Sequence, residues 1–68
     1  MARSRAEIGD SFRKTDTHWI AWTLDSYYEK PNRTHARLTK INDPTTSIIV
    51  SLDVLEDPRY FRRIDADL

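Results

Sequence analysis

Sixty-eight residues and a mass of 8.0 kDa leave room for one small domain, and a domain of this size buries only about 60% of the surface its unfolded chain exposes. Eleven Lys and Arg balance eleven Asp and Glu for a formal net charge of zero, which excludes the uniformly positive field of a general nucleic-acid or membrane-surface binder. The chain has no cysteine, so a disulfide framework, a thiol nucleophile and a Cys-based zinc site are excluded and packing must supply the stability.

In chain order, residues 1–7 lack apolar periodicity and read as a flexible leader carrying Arg3 and Arg5. Residues 8–14 alternate around Phe12 behind Gly9 and Asp10, which predicts a first strand, with a turn over 15–17. Residues 18–28 are rich in aromatic and β-branched side chains, which predicts a long second strand with Ile20, Trp22 and Leu24 on one face and Trp19, Ala21 and Thr23 on the other. Pro31 and Asn32 mark a loop, after which 34–41 resume alternation with Ala36 and Leu38 facing away from His35, Arg37 and Thr39. Residues 42–46 read as a turn with Pro44 at its second position, and 47–52 as a fourth strand presenting Ile48, Val50 and Leu52 together. Ser51 or Asp53 can cap a helical turn through 54–56, and Asp57 with Pro58 offers a second cap. Residues 60–64 read as a fifth strand, and 65–68 as an acidic tail.

The fold expected is all-β: a small five-stranded SH3-like antiparallel barrel over residues 8–64, with a helical turn before the last strand. A flat sheet of this size would leave one face and both edges wet, whereas closure gathers Phe12, Ile20, Trp22, Leu24, Ala36, Leu38, Ile48, Val50, Leu52, Leu55 and Ile64 inside. The longest apolar run, 19–22, is far too short for a membrane span or a signal peptide, so the expectation is a cytoplasmic protein with no membrane partner.

Gly9-Asp10 ahead of Phe12-Arg13, Trp19 opening the long strand, His35-Ala36-Arg37-Leu38, and the turn from Ser51 to Leu55 before Phe61-Arg62-Arg63-Ile64 together carry a resemblance. On these residues the chain resembles small bacterial SH3-like barrel proteins, a group largely of unassigned function. The resemblance covers about 55 residues and implies a barrel rather than a chemistry. The layout also looks like that of the type II dihydrofolate reductases, which are SH3-like tetramers. Where their pore carries a Val-Gln-Ile-Tyr run, this chain reads Ile48-Ile49-Val50-Ser51, so no active-site residue carries over.

Pairing Trp22 with Leu38 keeps Leu24 with Ala36 on the inner face, Thr23 with Arg37 on the outer face, and Trp19 opposite Ile41. Pairing Ile41 with Ile49 next sets Leu38 opposite Leu52 and Lys40 opposite Val50. Trp19, Ile41 and Ile49 then form an apolar row on the outer face, to be read as a second small core under the chain ends or as an association surface.

Catalytic chemistry finds little support. His18 and His35 lack ligand spacing, the serines at 11, 26, 47 and 51 lack a nucleophile-elbow context, and one glycine makes no phosphate cradle. No catalytic residue, metal or cofactor is expected, and the chain reads as not an enzyme. The zero charge is itself a cancellation: residues 2–40 hold eight basic against five acidic groups, net +3, and 41–68 hold three against six, net −3. Arg33, Arg37 and Lys40 follow Tyr27 and Tyr28, setting cations beside π faces. The expectation is a non-enzymatic binding or adaptor module that takes a protein partner or self-associates through Trp19, Ile41 and Ile49. The alternative is an accessory nucleic-acid-binding barrel using Tyr27, Tyr28, Arg33, Arg37 and Lys40.

Overall fold

The computed structural model describes residues 6–64. Five strands, β1 (Ser11–Lys14), β2 (Ala21–Glu29), β3 (Thr34–Lys40), β4 (Asp43–Ser51) and β5 (Phe61–Ile64), are joined with one short helix, α1 (Leu52–Leu55), between β4 and β5. They form a single antiparallel sheet in the order β4-β3-β2-β1-β5. The all-β fold with a helical turn before the last strand agrees with expectation. Closure does not: among the described residues β4 pairs only with β3 and β5 only with β1, so the sheet is open at that seam. The four residues of β5 are paired along β1, and side chains from α1 and the following turn line the gap to β4.

β1 starts at Ser11 rather than at residue 8 because the chain turns at Gly9, which has a φ of +102°. The turn is closed by Asp10 N donating to the Glu7 carbonyl at 2.9 Å and by Glu7 N donating to the Asp10 carboxylate at 2.9 Å. Ala6, expected in a flexible leader, is buried in the core, and its amide donates to Glu56 Oε2 at 2.7 Å. The rest of the leader, with Arg3 and Arg5, and the acidic tail lie outside the described residues.

Both hairpins differ in register from expectation. Trp22 lies opposite Lys40 rather than Leu38, and Leu24 opposite Leu38 rather than Ala36. A bulge at Asp25 then shifts the ladder, bringing Tyr27 opposite Ala36 on the inner face. In the second hairpin Ile49 lies opposite Arg37 and Ile48 opposite Leu38, while Lys40 meets Asp43 beyond an irregularity that sets Pro44, Thr45 and Thr46 out of the ladder. Because β4 is an edge strand, Pro44 is accommodated without loss of a ladder bond. The Asp43 carboxylate organises this segment, accepting from Thr45 Oγ1 at 2.6 Å and from Thr46 Oγ1 at 2.7 Å.

Alternation places Phe12, Trp22, Leu24, Ala36 and Leu38 on one face, and Leu55 of α1 and Phe61 of β5 cover them. Leu24, Leu38 and Leu55 are fully enclosed, each contributing about 1.5–3 kcal/mol from burial. Ile64, expected inside, is only half-buried and outside this cluster, since Phe61 takes the inward position of β5 and a residue three places along a strand faces the other way. Ser51 caps α1 as expected, its Oγ accepting from Val54 N at 3.3 Å.

Candidate functional site

The sheet leaves two surfaces on which ligands could be held. The first follows from the open seam. Residues 45–51 of β4 carry no charge, and five of these seven are β-branched. Edge strands are ordinarily guarded by charged side chains, bulges or proline, because their unpaired N–H and C=O groups template another strand. Here only Asp43 and Pro44, at the start of the strand, serve that end. Across the gap from this edge runs a groove of about 500 Å³, floored by Ile48, Val50, Val54 and Phe61, with Lys14, Asp16, Arg59 and Tyr60 at its sides. Arg59 is tied back by a bidentate contact to Asp57, with Nη2 to Oδ2 at 2.7 Å and Nε to Oδ1 at 3.1 Å. That bond, with the Arg59 amide and the guanidinium charge, holds the Asp57 carboxyl below the usual carboxylate range.

The second surface is a wider groove of about 570 Å³ at the Gly9 turn, to which Thr23, Asp25, Arg37, Thr39, Lys40 and Ile41 contribute. Arg37, Lys40 and Ile41, three of the residues singled out in the sequence, therefore come together. Their positive charge is partly cancelled, because Arg37 Nε lies 3.7 Å from Asp25 Oδ2. Both groups are about half exposed, so this pair adds little to stability, but it removes one cation from the expected basic surface.

The remaining expectations separate. Tyr27 packs against the core and donates its hydroxyl to the Ala6 carbonyl, so its ring belongs to the interior and not to a binding face. The bulge at Asp25 is the reason, since it rotates Tyr27 by one face. Tyr28 stays outside, opposite His35, and Arg33 is exposed in the loop before β3. Trp19, Ile41 and Ile49 are 68%, 46% and 54% exposed, but the apolar row is not formed. Ile41 sits in the β3–β4 turn with its N–H donating to the Ala21 carbonyl at 3.0 Å. Ile49 faces Arg37, four residues back along β3, or about 13 Å at the usual strand rise.

Among the described residues no three His, Asp or Glu side chains gather into a group that could hold a metal ion. No helix of the described residues is long and apolar enough to cross a membrane. One juxtaposition was not anticipated: Arg13 and Arg62 are direct cross-strand partners. Nothing short of the β1–β5 register could have brought them together, because their separation in sequence carries no local signal. No family model matches the chain, and no curated protein and no solved structure matches it either.

Proposed function

We propose that this protein is a non-enzymatic binding module of SH3-like architecture that takes an extended segment of another protein along the free edge of β4. The strand order and the short helix ahead of β5 support the architecture. The observation that carries the function is the uncharged run 45–51 on an edge strand beside an apolar groove. A segment added there gains affinity from main-chain hydrogen bonds, while its alternate side chains are sorted to the two faces. Those on the core side meet Ile48, Val50, Val54 and Phe61 in the groove, and those on the other side meet Ile49. Burying one aliphatic side chain in this way is worth about 1.5–3 kcal/mol, enough for a ligand that alternates apolar and polar residues to be preferred.

Two other readings have less support. Self-association through a Trp19, Ile41 and Ile49 row lacks the row itself, and a nucleic-acid surface built on Tyr27, Tyr28, Arg33, Arg37 and Lys40 loses Tyr27 to the core and part of Arg37 to Asp25.

Selection of short random peptides displayed against the folded chain tests the proposal, followed by amide chemical shifts recorded with the best binder. Binders with apolar residues two apart are expected, with shifts concentrated at residues 45–51, Val54 and Phe61. Ile49→Glu adds a charge to the edge opposite Arg37 and should weaken such a binder about tenfold or more without lowering the thermal midpoint. Selection of no binder, or shifts confined to the β5 side of the sheet, would sink the idea.

A further inference from the structure

The outer face of β1 and β5, turned away from the core and from the groove beside β4, carries an arrangement that neither the core nor the proposed peptide site uses. Arg13 and Arg62 are directly opposed on adjacent strands, and both are exposed. Side chains so placed have Cβ atoms about 4.5–5.5 Å apart, and like charges there repel. Neighbouring arginines are neutralised: Arg59 by Asp57 at 2.7 Å, and Arg63 by Asp10 at 3.6 Å. Among the described residues Arg13 and Arg62 are bonded only to main-chain carbonyls, Arg13 Nη1 to His18 O at 2.7 Å and Arg62 Nε to Pro58 O at 3.2 Å. Each guanidinium offers five donors in a planar fork, so most of both forks is unused among the described residues. Among the described residues no carboxylate is paired with either guanidinium to offset the repulsion.

The bond from Arg13 to the His18 carbonyl brings its guanidinium to the corner that bears Trp19. That indole is 68% exposed, and the His18 ring stands at 80° to it with centroids 5.3 Å apart. The contact restrains the indole and leaves most of its surface in solvent. Ile20 packs into the core between Trp19 and Ala21, and Ala21, the β2 partner of Arg13, contributes only a methyl group. Across the strands Ala21 therefore lies between Ile41 and Arg13, with Arg62 beyond Arg13.

We infer that this corner is a second binding site, for single-stranded nucleic acid, in which a base stacks on Trp19 and the flanking phosphates are held by Arg13 and Arg62. Two adjacent guanidinium forks can engage the non-bridging oxygens of a phosphodiester. An exposed indole accepts any base on its face, so the site discriminates strand state more than sequence. The chain is neutral as a whole, so attraction is local and only a nucleotide or two is gripped. Binding is therefore weak, with the modest salt dependence of two phosphate contacts.

Titration with oligo-dT and oligo-rU tests this. Trp22 is only 6% exposed, so a change in intrinsic fluorescence reads Trp19. Quenching by both oligomers is expected, with a log–log salt slope of about −1.4 for two phosphates on a single strand. Arg13→Gln combined with Arg62→Gln should weaken binding by on the order of tenfold or more, and Trp19→Leu by a similar factor measured through a labelled oligomer. The double Gln variant should also raise the thermal midpoint, since it removes a like-charge pair. A fall in both midpoint and affinity would instead mark the pair as structural and overturn the inference. So would absence of binding at low salt, affinity indifferent to the arginines, or equally tight binding of poly-Glu of matched length.

Discussion

Gly9 is the residue on which the contact between the first strand and the bulged region of β2 depends. Its N–H donates to the Leu24 carbonyl at 2.9 Å, and the Leu24 N–H donates to the Asp10 carbonyl at 2.9 Å. Both bonds require the chain to reverse at a φ of +102°. Nothing stands within 4 Å of where a Cβ would sit, so a side chain would meet no neighbour and the cost of adding one is the backbone conformation alone. That cost is on the order of 1–2 kcal/mol for a non-glycine residue. Gly9→Ala is accordingly expected to lower the free energy of unfolding by this amount, read as a lower urea midpoint with the m-value unchanged. A midpoint equal to that of the parent would show that the turn tolerates a negative φ, and that the two bonds to Leu24 do not depend on glycine. Trp22 presents the converse case: its Nε1 is buried without a hydrogen-bond partner among the described residues. The apolar area of the ring must outweigh that unpaired donor.

At the scale of elements, the Asp25 bulge decides what β2 does. With strict alternation Trp22, Leu24, Ser26 and Tyr28 would share the inner face; with the bulge, Trp22 and Leu24 are joined by Tyr27. The tyrosine then reaches Ala6, itself fastened to Glu56 beyond α1, so one irregularity ties the N-terminal segment to the far side of the core. Tyr27→Phe keeps the ring and removes one hydroxyl bond, for an expected loss of about 0.5–1.5 kcal/mol. Hydrogen exchange should localise that loss, with the Ala6 amide exchanging faster while amides in β3 change little. A uniform increase across the sheet would show instead that the segment does not open separately.

The same strand shows what alternation in a sequence can and cannot convey. The existence and type of every element was legible, and so was the inner face of β3, because a hydrophobic period of two assigns parity. Register is set by loop lengths and irregularities that parity does not sense. Placing Trp22 opposite Leu38 instead of Lys40 is an error of two residues, and placing Leu38 opposite Leu52 instead of Ile48 is an error of four. Even shifts leave each side chain on its proper face, so the core survived the error. The apolar row did not, because it depended on absolute position along the strands. The bulge has no glycine to announce it, and strict alternation from Trp22 and Leu24 would set Tyr27 on the outer face. The Arg13 and Arg62 pair was illegible for a different reason, since only the pairing of the first and last strands creates it.

For the whole molecule, neutrality at pH 7 conceals a strong dependence on acid. Asp43 is held below the usual carboxylate range by hydrogen bonds from the Thr45 and Thr46 hydroxyls and the Thr45 amide, and Asp57 chiefly by the Arg59 guanidinium. A carboxyl depressed in the folded state contributes stability above its ordinary value of 3.8, and that contribution is lost as pH falls through the lower folded value. Both groups remain in contact with solvent, so the effect of each is modest and screened. A second effect acts in the same direction. Once the eleven acidic groups are neutralised, eleven Lys and Arg and both His remain, and a chain that was neutral repels itself. The thermal midpoint should therefore be nearly level between about pH 5 and 7 and fall steeply below about pH 4. The two causes separate by experiment. Added salt at low pH should recover the part due to self-repulsion, because screening shortens its range. Asp43→Asn with Asp57→Asn should lower the midpoint at neutral pH and flatten the acid limb, while leaving the salt-recoverable part in place. If the double variant keeps the full acid drop, the two turn carboxylates contribute nothing measurable, and repulsion among the basic groups is the whole cause.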